Sequence, residues 1–378
     1  MGNFPFGPSV QLTSVGWQQL AGTHDLAPGM VAWLTVLANR HYASGVVACI
    51  GTSVTAGNGA NTWEHAWPTM MGDALNNRYP SNGLATHGRG ILIPVLDWIT
   101  PDYVTVTGTP AVVEGFGLNL NTYDISAAGG CTLVYHLVGT SGFILYENHP
   151  AGGSFTWQVD AGAVTTVSTT AGSIQGGQAI GFTLDAAPGN AHTLTITWHA
   201  GGVVWIDGVV EFNGDESAGF QAMNFGAGGS LTADWAAMNY ESIAGVPSSM
   251  YLIELMGNDW IEGVPVATAV ANLQTVLGKI IAAAAAVSSP VPQFTLLALY
   301  NSIPAGVGVA LPWSAYVNAM YSIAAGRTDT QVLDLSIRMP AAVLGGGPYG
   351  EYDPDGEHPS DIGHSLIADI NASFLGPQ

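Results

Sequence analysis

The sequence predicts an α/β protein: a three-layer α/β/α sandwich around a five-stranded parallel sheet, with an inserted antiparallel β-sandwich of jelly-roll type. Three observations predict it. Apolar, β-branched runs that end in glycine-rich turns alternate with helical stretches from Val46, and again from Phe220. Such runs mark strands buried on both faces. Between these two regions, residues 101–213 alternate polar and apolar at period two, with Gly/Asn turns between the runs; that pattern belongs to half-buried antiparallel strands. Finally, hydrophobic residues are 48% of the 378 and charged residues 9%, which provides for a large core and argues against wholesale disorder.

In chain order, residues 1–42 read as an N-terminal arm, Gly/Pro-rich to Pro28, with a short helix over Met30–Asn39. Val46–Ile50 is the first buried strand and runs into Gly51-Thr52-Ser53, with a helix expected from about Trp63 to Asn77. A loop bearing Gly83, His87, Gly88, Arg89 and Gly90 follows. The insert spans 101–213, with strands expected at Tyr103–Thr107, Cys131–Leu137, Phe143–Tyr146, Ser154–Val159, Ala179–Leu184, Thr193–Trp198 and Val203–Val209. The alternation then resumes. Phe220–Phe225 enters the turn Gly226-Ala227-Gly228-Gly229-Ser230, a helix covers Leu231–Asn239, and Tyr251–Met256 ends at Gly257-Asn258-Asp259. A long alanine-rich helix covers Val264–Val287, and Phe294–Leu299, Trp313–Ala325, Val332–Ile337 and Asp361–Phe374 complete a strand–helix–strand–helix series. The α/β domain is therefore discontinuous, 43–100 with 214–378.

The net charge of −21, with only Arg40, Arg78, Arg89, Lys279, Arg327 and Arg338 as basic side chains, leaves no basic patch for nucleic acid or an anionic membrane surface. It suits neutral, hydroxyl-rich ligands such as carbohydrate. The two cysteines, Cys49 and Cys131, are too few for a disulfide scaffold. No secretory leader is visible, and the longest apolar run, Ile280–Val287, is too short to span a bilayer.

Three strand ends and one loop carry chemistry. Ser53 is a nucleophile if a base takes its proton. His358, in Asp355-Gly356-Glu357-His358-Pro359, supplies such a base, and Asp355 can hold its other ring nitrogen. The backbone N–H groups of Ser53 and Gly229 and the side-chain amide of Asn258 supply oxyanion donors. Each has a plainer reading: Ser53 and Asn258 as turn caps, Gly229 as a helix-entry turn, Asp353–Glu357 as a solvated or cation-binding loop without EF-hand spacing. No pentapeptide G-x-S-x-G occurs, which leaves an α/β-hydrolase lipase without its elbow.

With these four blocks the chain resembles the SGNH, or GDSL-type, hydrolase family over about 43–100 and 214–376. Gly51-Thr52-Ser53 is similar to the first block, Asn224–Gly229 to the second, Gly257-Asn258-Asp259 to the third and Asp355–His358 to the fourth. The resemblance implies a flavodoxin-like sheet and a serine esterase with a Ser53–His358–Asp355 triad. It also implies an oxyanion hole of Ser53, Gly229 and Asn258, with no cofactor and no metal. Thr52 stands where the family has Asp. An accompanying β-domain leans the substrate toward acylated glycans, with Trp157, Trp198 and Trp205 as stacking candidates. Alternatives are a decayed carbohydrate-binding module, and a lipase or acyl-thioesterase of the same family. The lysine-poor, Ala/Gly/Val/Thr-rich composition resembles proteins of high-GC actinobacteria and their phages. An extracellular or virion-tail setting follows as an expectation, with tail proteins or a second copy of the chain as partners.

Overall fold

The structure, a computed structural model, describes residues 28–81, 88–96, 98–99, 101–184, 189–301, 311–340, 342 and 346–376. Residues 1–27 of the predicted arm, with His24, and Gly83 and His87 of the following loop lie outside them. In chain order the elements begin with α1 (Pro28–Ala38), β1 (Ser44–Gly51), α2 (Ser53–Ala56), α3 (Trp67–Arg78) and β2 (Gly90–Leu92). Next come β3 (Val104–Thr107), β4 (Ala111–Glu114), β5 (Asn121–Asp124), β6 (Thr132–Leu137), β7 (Ser141–Asn148), β8 (Gly153–Val159) and β9 (Thr165–Ser168). β10 (Gln175–Thr183), β11 (His192–Gly201), β12 (Trp205–Phe212) and β13 (Gly219–Gly226) follow, then α4 (Thr232–Ala237), α5 (Glu241–Ala244) and β14 (Met250–Glu254). The chain closes with α6 (Gly257–Ile261), α7 (Val266–Ala286), β15 (Gln293–Ala298), α8 (Trp313–Ala325), β16 (Thr330–Asp334) and α9 (Asp361–Leu375).

The predicted parallel sheet is present, with five strands in the order β13-β1-β14-β15-β16. Its strands are buried almost throughout, which is why they read as continuous apolar runs. Helix α9 contacts both α1 and α3, and α7 contacts α4, α5 and α8. Helix α7 has the length and composition of a membrane span, yet Ala269, Leu273, Val276, Leu277, Ile280 and Ala284 are buried at helical spacing in the protein core. Both cysteines are free and buried.

The antiparallel strands form two further sheets, of six strands (β10-β7-β12-β5-β4, with β2 on β12) and of five (β3-β6-β11-β8-β9). Their facing residues, among them Leu133, Tyr135, Ile144, Phe155, Leu194 and Val209, form a second hydrophobic core. β2 lies ahead of residue 101 and pairs with Val209–Glu211, so the six-stranded sheet draws on residues the sequence reading placed before the insert. The stacking tryptophans are not free. Trp205 is buried against Phe116 and His149, and Trp157 and Trp198 pack partly buried on the second core. Their rings are spent on packing, as is usual for large aromatics.

Candidate active site

The register of the parallel sheet brings three chemical turns to one edge. Gly51 at the end of β1 lies opposite Gly226 of β13 on one side and Glu254 of β14 on the other. Ser53 therefore follows β1, Gly229 follows β13 and Asn258 follows β14, all at carboxyl ends of parallel strands, where open α/β sheets place their sites. The helix expected over about Trp63–Asn77 is α3, Trp67–Arg78, and ahead of it Ser53 opens the separate one-turn α2 with Thr52 as its N-cap. Gly226 is required by close approach: a Cβ there would lie 2.1 Å from the Ala56 nitrogen.

Ser53, His358 and Asp355 form one hydrogen-bonded chain. His358 Nε2 is 2.9 Å from Ser53 Oγ, and His358 Nδ1 is 2.7 Å from Asp355 Oδ2. The other Asp355 oxygen accepts from the backbone N–H of Glu357 at 2.8 Å and of His358 at 3.0 Å. Burial pushes the Asp355 carboxyl up, but these N–H groups and the His358 ring outweigh it and hold it below the usual value. Ser53 is buried to 8% exposure, so its hydroxyl faces a confined space.

The donors sit nearby in sequence-built turns. Gly229 has φ +70, a conformation that favours glycine, and open space in its Cβ direction. Asn258 donates an amide N–H to the Ser230 carbonyl at 2.9 Å. Asp259, buried, accepts from the Thr232 N–H at 3.0 Å and hydroxyl at 2.6 Å. Asn258 and Asp259 thus tie the β14 turn to the segment after Gly229. Met256 just before them is held at φ +78, a strained backbone for a side-chain-bearing residue.

Sequence reasoning missed two sets of residues. The first is Glu254. Fully buried, it accepts from the Thr52 N–H at 2.8 Å, the Thr52 hydroxyl at 2.9 Å and the Thr55 hydroxyl at 3.0 Å. Burial raises its carboxyl to about 7 against the pull of those donors. This network accounts for the departure at position 52: an Asp there would set a second carboxylate against Glu254, whereas Thr donates to it. The second set staples the Ser53 turn to the His358 loop. Asn58 Nδ2 is 3.3 Å from His358 Nε2, and the Asn58 carbonyl accepts from His364 Nε2 at 3.0 Å. Asp361 accepts from the Asn61 N–H at 2.8 Å and pairs with His65 at 3.1 Å. Burial lowers His364 to about 4, which keeps its ring neutral. No single residue type announces these contacts; an Asn-rich loop after the serine and a His in α9 were the available signals.

A groove of about 660 Å³ runs beside the Gly229 turn. Its walls are Ala227–Ser230 and Asp234 on the parallel-sheet side, and Val112, Glu114 and Asn121 of the β4–β5 hairpin on the other. Among the described residues no cluster of three or more His, Cys, Asp and Glu side chains has metal-holding geometry.

No protein-family model and no curated protein matches this chain. Among solved structures, a peptidoglycan O-acetylesterase superposes at a TM-score of 0.66 and 15% identity, over 93% of this chain and 95% of that one. A family two carbohydrate esterase from Cellvibrio japonicus aligns over 72% of this chain and 94% of that one at 10% identity, and TesA over 43% and 82% at 22% identity. Their TM-scores, 0.30 and 0.34, are too low to bear on the fold. Over nearly the whole length of both chains, this chain therefore shares the fold of the peptidoglycan O-acetylesterase.

Proposed function

We propose that the protein is a serine esterase that removes a short acyl group, O-acetyl foremost, from a polysaccharide or cell-wall glycan. The observation that carries this is the unbroken Asp355–His358–Ser53 hydrogen-bond chain, with Ser53, Gly229 and Asn258 each following the carboxyl end of a strand of the parallel sheet. Ser53 Oγ attacks the ester carbonyl while His358 Nε2 takes its proton. Asp355 holds the imidazole by Nδ1 and stabilises its cationic form. The oxyanion accepts from the N–H groups of Ser53 and Gly229 and from Asn258 Nδ2, each worth roughly 3 kcal/mol of barrier. Collapse expels the sugar oxygen, which takes the proton from His358. Water, deprotonated by the same ring, then releases the acid and restores Ser53. No step calls for a cofactor.

The glycan assignment is supported by the groove beside Gly229, which is rimmed by polar and acidic groups, and by the dearth of cationic side chains for an anionic ligand. The likeness to the peptidoglycan O-acetylesterase is one of fold, and a glycan ester is the substrate class it brings to this proposal. On this reading residues 101–213 are an inserted, jelly-roll-like module between residues 43–100 and 214–378, and its β4–β5 hairpin presents the sugar to Ser53. The arm, 1–42, and a virion or other extracellular setting belong to the same proposal. Recovery of the protein from purified virions supports the tail setting, and a cytosolic acyl-thioester as preferred substrate overturns it.

The test is direct. Wild type hydrolyses p-nitrophenyl acetate and releases acetate from O-acetylated glycan, and Ser53→Ala loses at least about 10⁴-fold in kcat with an unchanged circular dichroism spectrum. A folded wild type with no turnover on any short-chain ester sinks the esterase and leaves a binding module.

A further inference from the structure

A second cluster of polar side chains lies away from Ser53, where the six-stranded antiparallel sheet meets α5. Glu147 ends β7, and Asp207 sits on β12 at a register shift between Ile206 and Gly208. Both are 1% exposed. One Glu147 oxygen accepts from the Gly117 N–H at 2.9 Å and from the Ser242 hydroxyl of α5 at 3.0 Å. The other has no donor, and neither has either oxygen of Asp207. Asp207 lies beside Thr122, Ser242 and Glu147, but none of them meets it with hydrogen-bond geometry. The hydroxyl of Thr122, fully buried, is also unpartnered. No Arg, Lys or His pairs with either carboxylate among the described residues.

Buried carboxylates are paired with a cation, fully hydrogen-bonded, or neutralised. Here three carboxylate oxygens and a hydroxyl lack donors in one place, on three adjacent strands of one sheet. Each is an acceptor, and no nitrogen or sulfur ligand accompanies them. An all-oxygen, two-carboxylate set of this kind fits a hard divalent ion that tolerates irregular geometry, which favours calcium over magnesium.

We propose that Glu147 and Asp207, with the Thr122 and Ser242 hydroxyls, bind one calcium ion that fastens the antiparallel sheet to α5. The ion's role is structural, and the proposal stands whether or not the esterase reading does. Calcium would hold both carboxyls ionised, whereas burial and their mutual repulsion push Glu147, and burial pushes Asp207, above the usual carboxylate range. Gly117, whose N–H meets Glu147, lies in the connection between β4 and β5, the hairpin that walls the groove beside Gly229.

The test uses the full chain, stripped with EDTA and desalted. Calcium chloride added in excess should raise the melting temperature saturably, by roughly 5 °C at a hundredfold excess over Kd. It should bind at one ion per chain by calorimetry. Magnesium should need at least about tenfold more. Glu147→Gln and Asp207→Asn should each abolish the calcium-dependent shift. Ser242→Ala, which keeps both carboxyls, should weaken calcium binding if Asp207→Asn fails to fold. A folded wild type that neither binds calcium nor shifts in melting temperature overturns the proposal and leaves the two carboxyls sharing a proton. A calcium shift that persists in both carboxyl variants overturns it too, because the ion then sits elsewhere.

Discussion

Glu254 is the residue on which the nucleophile turn rests. Burial raises its carboxyl from 4.5 to about 7, so across that window the folded chain keeps a proton the unfolded chain has lost. Stability from this group is present at low pH and declines as pH rises through about 7. Glu254→Gln should remove that dependence. Between pH 5 and 8 its unfolding free energy should fall less than that of wild type, by on the order of 2 kcal/mol in urea titrations. Parallel curves would refute it. Thr52 gives the complementary experiment. Thr52→Asp should lose activity and melting temperature by crowding two carboxylates, and the double variant Thr52→Asp/Glu254→Gln should recover both. Asn258→Ala should lower kcat about 10²–10³-fold with little change in fold, measured on p-nitrophenyl acetate. Ser53, His358 and Asp355, which the structure joins in one hydrogen-bonded chain, are legible in the sequence because each sits at a strand end or in a short motif. Glu254 is not, because its partners Thr52 and Thr55 lie about two hundred residues away and a Glu at the end of an apolar strand has no local signature.

At the scale of elements, the loop bearing His358 is fixed by the start of α9. Ser360 caps that helix by accepting from the N–H groups of Ile362 and Gly363, and its hydroxyl also donates to the Gly350 carbonyl. Ser360→Ala should cost about 1 kcal/mol and a few degrees in melting temperature, by calorimetry, while kcat changes less than about threefold. A large loss of kcat with no loss of stability would contradict this assignment. The five parallel strands and helices α7, α8 and α9 are legible to within a few residues because burial on two faces, or on one helical stripe, dictates their composition. The edge strand β4 is not. Ala111-Val112-Val113-Glu114 is largely exposed, so no alternation marks it, and β9 is similar. β2 is only three residues long and is defined by its partner on β12. Edge strands answer to their neighbours rather than to their own sequence.

At the scale of the molecule, a charge of −21 repels itself at neutral pH. With EDTA present to exclude divalent ions, raising sodium chloride from 20 to 500 mM should raise the melting temperature rather than lower it, since screening relieves more repulsion than attraction. The staple of Asn58, Asn61 and His65 against His358, Asp361 and His364 joins segments about three hundred residues apart. That distance has a consequence during synthesis. On the proposed function, the ribosome makes the nucleophile Ser53 early and its base His358 late, with the antiparallel strands in between. A nascent or truncated product ending ahead of Asp355 then carries a serine with nothing to deprotonate it, and hydrolysis should begin only after the tail of the chain has docked. Supplying that tail in trans as a separate peptide should switch a silent fragment on.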